Sequence, residues 1–90
     1  MLTVTPQAAA MIDELAVQAR LPDGGGLRIA QRADQPSLGM ALVEAPDPDD
    51  AVLDQHRVRV FLDPCAAGRL AGQVLDSRAD DRGAAFFLAD

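Results

Sequence analysis

The first twenty residues carry apolar side chains at the spacing of one helical face. Thr5 followed by Pro6 is a typical helix start, because the hydroxyl can accept from free N–H groups and proline suits the first helical position. Pro22 disfavours helical geometry at the residue before it, and the Asp-Gly-Gly-Gly run at 23–26 indicates a turn. The pattern predicts a helix over about residues 5–20 that packs on a sheet through one apolar stripe. That stripe comprises Ala8, Met11, Ile12, Leu15, Ala16 and Ala19.

Beyond the glycine turn, apolar and polar side chains alternate in short runs, as in half-buried strands. One run places Val58, Val60 and Leu62 on one face and Arg57 and Arg59 on the other. The period of two therefore predicts strands over most of the remaining chain, after a short strand-like start at Leu2–Val4. The predicted strands are 27–33, 39–45, 51–54, 57–63, 73–77 and 84–89.

Turn residues predict how these strands are connected. Gln55 and His56 separate two strand-like runs and indicate a tight hairpin, and residues 78–83 indicate a second hairpin loop. Asp63-Pro64 repeats the helix-start signal, so a short helix should follow it. Ninety residues with 49% apolar content suffice for one small domain, spanning 1–90. We expect an α+β, mainly β fold: an N-terminal helix followed by a small antiparallel β sandwich or open barrel.

Composition excludes several classes of function. All eight basic residues are arginines, and fourteen carboxylates give a net charge of −6, which argues against a nucleic-acid surface. No apolar run approaches the roughly 20 residues of a membrane span, and the N-terminus lacks the basic start of a signal peptide. Cys65 is the single cysteine, so no internal disulfide can form. These features predict a cytoplasmic protein.

Cys65 and His56 are the two side chains with the most versatile chemistry. Cys65 would lie just inside the short helix, where free N–H groups lower thiol pKa values and favour reactivity. The alternative is a small, partly buried packing residue, which we favour because a metal site needs three or four ligands. His56 could bind a metal or transfer a proton, yet its predicted turn contains no second histidine, so we expect a solvated side chain.

The remaining polar clusters show no catalytic signature. Asp47-Pro48-Asp49-Asp50 with Glu44 could attract a cation but lacks the spacing of a calcium loop, and a solvated acidic loop is the simpler interpretation. The 23–26 glycine run follows a helix and the chain has no lysine, so it is no phosphate loop. Ser37 has no base nearby in sequence. We expect no catalytic residues and no enzyme.

The order of elements resembles the HesB/IscA-like family, the A-type carriers of iron–sulfur cluster assembly. The segments that carry the resemblance are "GLRIAQRADQPSLGMAL", an acidic loop, "DQHRVRVFLD", a short helix and "LDSRADDRGAAFFLAD". In that family a strand leads into a loop of pattern Gly-Cys-Ser-Gly-Met, and a Cys-Gly-Cys tail follows the final hairpin. Gly39 and Met40 match the loop pattern.

The resemblance implies three cluster-ligand cysteines that this sequence does not carry. Ser37 stands at the loop cysteine, Pro36 at the glycine before it, and the tail cysteines have no counterpart up to Asp90. A neutral hydroxyl is a poor substitute for a soft thiolate. We therefore expect no cofactor and no metal ligand, although iron or a cluster is conceivable. Two hypotheses stay open: an accessory of cluster assembly or iron handling, and a metal-free module that binds a protein partner or itself.

Overall fold

A computed structural model describes all 90 residues as two helices and seven strands. The helices are α1 (Pro6–Gln18) and α2 (Pro64–Arg69). The strands are β1 (Thr3–Val4), β2 (Gly26–Gln31), β3 (Leu38–Val43), β4 (Ala51–Gln55), β5 (Val58–Leu62), β6 (Val74–Asp80) and β7 (Gly83–Ala89). The predicted single helix before a β-rich body is therefore confirmed.

Helix α1 begins and ends as its local sequence indicates. The Thr5 hydroxyl accepts from the Ala8 N–H at 3.0 Å, and proline occupies the first helical position. At the other end the Arg20 N–H donates to Val17 O at 3.1 Å, and the Leu21 N–H donates to Ala16 O at 3.0 Å. This pair of bonds is a Schellman motif, with Arg20 in the left-handed region at a φ of 56°. Neither helix is long and apolar enough to cross a membrane.

The strands form two mixed sheets instead of purely antiparallel ones. One sheet has the order β1-β6-β7 and the other the order β3-β2-β5-β4. Strand β1 pairs parallel with β6, and β2 pairs parallel with β5, whereas the other three pairings are antiparallel. Three of the five pairings are antiparallel, as a mainly antiparallel fold requires, and the two parallel pairs join strands that have several other elements between them in the chain, which leaves room for a crossover.

Both predicted hairpins form: the first turn has the predicted two residues but is shifted by one position, and the second is shorter than the predicted loop of residues 78–83. Gln55 is the last residue of β4, so the turn consists of His56 and Arg57, whose φ angles are 51° and 68°. Two consecutive positive φ angles are those of a type I′ turn, which matches the twist of the strands. The second hairpin turns at Asp81 and Arg82 and resumes at Gly83, whose φ is 121°.

Both sheets and both helices contribute to one hydrophobic core. Helix α1 buries Ala8, Ala9 and Ile12, whereas Met11 and Leu15 are only half-buried. The buried face of the helix thus differs from the predicted stripe. It includes Ala9, whereas Ala16 is half-buried and Ala19 is exposed, so the first turns of the helix pack more closely on the sheets than its last turn does. The core comprises Leu2, Val4, Ala8, Ala9, Ile12, Leu27, Ile29, Leu53, Val58, Val60, Leu62, Ala66, Leu70 and Leu75.

Candidate functional site

The loop of residues 32–37 joins β2 to β3 and carries the serine singled out by its sequence. The Arg32 N–H donates to Ser37 O at 3.0 Å, which extends the β2–β3 ladder by one step. The Gln35 N–H donates to Arg32 O at 3.4 Å and tightens the turn. The Ser37 hydroxyl is exposed and donates to Gln35 Oε1 at 3.1 Å. Ser37 therefore lies at the exit of a short, well-defined loop, and its hydroxyl contacts an amide and no base.

Helix α2 braces the base of this loop. One carboxylate oxygen of Asp63 accepts from the Ala66 N–H at 2.7 Å, which confirms the predicted helix cap. The other oxygen accepts from the Gln31 N–H at 3.1 Å, at the end of β2. Arg69 donates from Nη1 to Pro36 O at 2.5 Å. The sequence signalled only the cap; the second oxygen of Asp63 and the Arg69 contact join residues more than thirty positions apart.

The Arg32 side chain packs against Gly39 of β3, where a side chain at position 39 would crowd it. A Cβ atom at position 39 would lie 3.3 Å from Arg32 Nε and 3.5 Å from Arg32 Cγ. The guanidinium thus lies against the sheet beside the loop, over a shallow depression of about 320 Å³. The depression is lined by Arg28, Ala30, Gln31, Arg32, Gly39, Met40, Ala41 and Val43. Its chemistry is cationic and apolar, with no thiol.

Cys65 lies in α2 and not in the loop. It is the second residue of the helix and is half-buried, with a free thiol. Both features were expected from the Asp63-Pro64 helix start. Ser37 and Cys65 therefore belong to different elements, although Arg69 and Asp63 connect those elements.

His56 is an exposed turn residue, and its neighbour Gln55 has a role that the sequence did not reveal. Gln55 Oε1 accepts from the Val4 N–H at 2.7 Å, and Gln55 Nε2 donates to Leu2 O at 2.9 Å. One amide thus satisfies two backbone groups of the N-terminal segment and ties the β4 end to β1. The sequence indicated only a turn at Gln55 and gave no sign of this contact between the two sheets.

Arg28 pairs with two carboxylates of the acidic loop, those of Asp47 and Asp50. Arg28 Nε lies 2.7 Å from Asp50 Oδ2, and Nη2 lies 3.0 Å from Asp50 Oδ1 and 3.1 Å from Asp47 Oδ2. The hydrogen bond from Arg28 lowers the pKa of Asp50, and the same bond raises the pKa of Arg28. Glu44 is exposed and outside this pair. No group of three or more His, Cys, Asp or Glu side chains is placed to hold a metal ion.

A cavity of about 450 Å³ lies between the end of α1 and the β4–β5 hairpin. Its lining includes Arg20, Arg57 and Arg59 on the basic side and Asp13, Asp23 and Asp54 on the acidic side. Arg59 Nε lies 3.1 Å from Asp54 Oδ1, so part of this charge is paired internally. The cavity is electrostatically balanced and holds neither the thiol nor the imidazole.

Comparison with known proteins places the fold. No protein-family profile and no curated protein matches the chain. Among solved structures it is similar to IscA with a [2Fe-2S] cluster: 24% identity, a TM-score of 0.79, 100% of this chain and 85% of that one covered. It is also similar to Escherichia coli SufA, which is involved in the biosynthesis of iron–sulfur clusters, at 28% identity, a TM-score of 0.74 and coverage of 97% and 77%. A protein from Aquifex aeolicus matches at 21% identity and a TM-score of 0.71, with 99% and 90% covered.

Proposed function

From the premise that this chain is a HesB/IscA-like protein, we propose that it is a non-enzymatic accessory of iron–sulfur cluster assembly or iron handling. In this proposal it acts without holding a cluster through cysteines of its own. Similarity to IscA and SufA over nearly the whole chain supports the general role. In this proposal Ser37, whose hydroxyl donates to Gln35 Oε1, does not act as a nucleophile.

The observation that carries the proposal is the number and position of the thiols that could bind iron. The 90 residues contain one thiol, and it lies half-buried on α2. Protein-bound two-iron clusters are held by four ligands, mostly thiolates, and a pair of these chains would offer only two. The residues present therefore do not fit a cluster.

Reconstitution tests the binding half of the proposal. We expect the purified chain, incubated anaerobically with iron and sulfide and then desalted, to show no visible cluster absorption and no stoichiometric iron. Ser37→Cys should stay colourless, because the resemblance implies that the loop cysteine binds a cluster together with tail thiolates, which residues 1–90 do not contain. Ser37→Cys with an appended Cys-Gly-Cys segment should bind iron and sulfide if the loop keeps its ligand-presenting geometry. Stoichiometric absorption by the unmodified chain, lost in Cys65→Ala, would refute this half.

Cluster transfer tests the accessory half. In this assay, IscA loaded with a [2Fe-2S] cluster is mixed with an acceptor apoprotein, and the chain is added in increasing amounts. We expect the chain to bind loaded IscA and to change the transfer rate in proportion to the bound fraction. Bovine serum albumin at the same concentration controls for non-specific protein effects. A chain that neither binds IscA nor alters transfer would exclude this role.

That negative result would favour the second function, a metal-free protein-interaction module. One observation supports this alternative: the apolar side chains of Met40, Val52, Phe87 and Leu88 are exposed on strands. Fold alone does not distinguish the two functions. The transfer assay and the reconstitution distinguish them, because only an accessory of cluster assembly should bind IscA and change cluster transfer.

A further inference from the structure

The cavity between α1 and the β4–β5 hairpin lies away from the loop of residues 32–37. It opens beside Gly26 at the start of β2, whereas that loop follows the other end of the same strand. Its volume of about 450 Å³ is in the range of pockets that hold small organic molecules. The buried Ile12 and Val58 are part of its apolar lining, and the rest of the lining includes charged side chains. The cavity therefore combines apolar and polar groups as ligand sites do.

Two arginines that line this cavity occupy backbone positions that favour glycine. Arg20 at the end of α1 has a φ of 56°, and Arg57 in the β4–β5 turn has a φ of 68°. A side chain is unfavourable in this left-handed region, and the second position of a type I′ turn is normally glycine. Unfavourable backbone conformations cluster at ligand sites, where the side chain has a use that offsets their cost. The two guanidiniums therefore indicate a use that local folding does not supply.

Four charged side chains of the cavity have no ionic partner within the chain. The ion pair inside the cavity joins two facing residues of β4 and β5. The cations of Arg20 and Arg57 and the carboxylates of Asp13 and Asp23 line the same space and make no ion pair. A ligand with a carboxylate, an ammonium and an apolar part would complement both signs of charge. A divalent anion fits less well, because the two carboxylates and the net charge of −6 repel it.

We propose that this cavity binds a small zwitterion of the amino-acid or dipeptide class. Arg20 and Arg57 bind its carboxylate, since a guanidinium donates two parallel hydrogen bonds to a carboxylate. Asp13 and Asp23 bind its ammonium, and its apolar side chain packs against the apolar lining. The inference does not rest on the proposed function, because neither the loop of residues 32–37 nor a bound cluster takes part.

Two other depressions of the surface lack this combination. In the depression beside the loop, the Arg28 guanidinium is already paired with carboxylates of the acidic loop. A third depression, of about 240 Å³, lies at the β6–β7 turn. No residue that lines either of them is buried, so neither offers an apolar interior. Free charges of both signs around buried apolar side chains therefore single out the cavity beside α1.

NMR titration of the isotope-labelled chain with alanyl-leucine tests the proposal. We expect saturable shifts of the backbone amides around the cavity, with a dissociation constant below about 1 mM. N-acetyl-alanyl-leucine lacks the ammonium and alanyl-leucinamide lacks the carboxylate, so each should bind about tenfold more weakly. Absence of saturable shifts at about 10 mM alanyl-leucine would overturn the proposal. Equal binding of the three compounds would overturn the assignment of a zwitterion.

Glycine substitutions separate binding from folding. Arg57→Gly removes a guanidinium and relieves a positive φ, so it should preserve or raise the free energy of unfolding. It should nevertheless raise the dissociation constant of alanyl-leucine about tenfold. His56→Gly is the matched control, because it relieves the neighbouring positive φ of 51° without removing a side chain of the cavity. Arg78→Ala makes the same charge change on β6, and both controls should leave the constant unchanged. An equal loss in His56→Gly would overturn the role of the Arg57 guanidinium.

Asparagine substitutions test which side chains bind the ammonium. Asp13→Asn and Asp23→Asn should each weaken alanyl-leucine several-fold and should not weaken N-acetyl-alanyl-leucine, which has no ammonium to lose. Arg57→Gly should show the converse, with weaker binding of the acetylated compound and unchanged binding of alanyl-leucinamide. Glu14→Gln, at an exposed carboxylate of α1 outside the cavity, should change neither constant. Asparagine variants that weaken both compounds alike, or neither of them, would overturn the assignment of the ammonium.

Discussion

At the scale of single residues, the contact between Arg28 and Asp50 makes the acidic loop part of the fold. The side chain of Asp50 is 1% exposed, that of Arg28 is 24% exposed, and two hydrogen bonds join them. A buried carboxylate is tolerated only when a cation and hydrogen bonds replace its lost water. Phe61, the register partner of Arg28 on β5, is fully buried although it is not part of the main core.

This pair predicts how stability depends on pH. Because Arg28 lowers the pKa of folded Asp50, the pair stabilises the fold fully above the carboxyl's unfolded pKa of about 4, and the contribution disappears as pH falls through the lower folded pKa. Asp50→Asn should cost about 1–3 kcal/mol at pH 7, measured by urea unfolding, and the difference should shrink towards pH 2. Asp47→Asn, at a carboxylate 65% exposed, should cost under about 0.5 kcal/mol. A difference at Asp50 that is independent of pH would contradict the assigned ion pair.

At the scale of elements, the end of α1 contains a strained residue that a single change can relieve. Arg20 closes the Schellman motif at a φ of 56°, where a side chain is unfavourable and glycine is not. Arg20→Gly should stabilise the protein by about 0.5–1 kcal/mol in thermal or urea unfolding. Arg20→Ala is the matched comparison, since it removes the same charge and keeps the Cβ. Equal effects of the two changes would show that charge, and not backbone strain, controls this position.

At the scale of the whole molecule, α1 joins the two sheets through Ile12. Ile12 is 1% exposed within a core that draws on both sheets, whereas Leu15 is half-buried. Ile12→Ala should cost about 2–5 kcal/mol, most of the stability of a domain this small. Leu15→Ala should cost clearly less, and Val17→Ala, at 69% exposure, should stay within about 0.5 kcal/mol. Urea unfolding of the three variants measures this order, and a larger loss at Leu15 than at Ile12 would place the helix on another face.

The sequence by itself determined the elements whose signals are local. Thr5-Pro6 and Asp63-Pro64 start helices because a capping oxygen and a fixed φ act within one turn of the chain. The alternation of Val58, Val60 and Leu62 determines which face of β5 packs into the main core, because successive side chains in a strand point to opposite sides. The resemblance to HesB/IscA-like proteins could likewise be read from the order of these elements.

Only the tertiary structure decided the contacts between residues distant in sequence. The pairing of Thr3 with Val74, the amide of Gln55 on β1, and the contact of Arg28 with Asp50 each span more than twenty residues. Local periodicity cannot specify them, because a strand's pattern gives its buried face and not its neighbour. The loop at Ser37 shows both kinds of information. Its sequence identified the missing thiolate, whereas the hydrogen bonds that Asp63 and Arg69 make to the loop and to the end of β2 depend on α2 packing beside β2. Chain-distant hydrogen bonds form only once the hydrophobic core has brought their partners together.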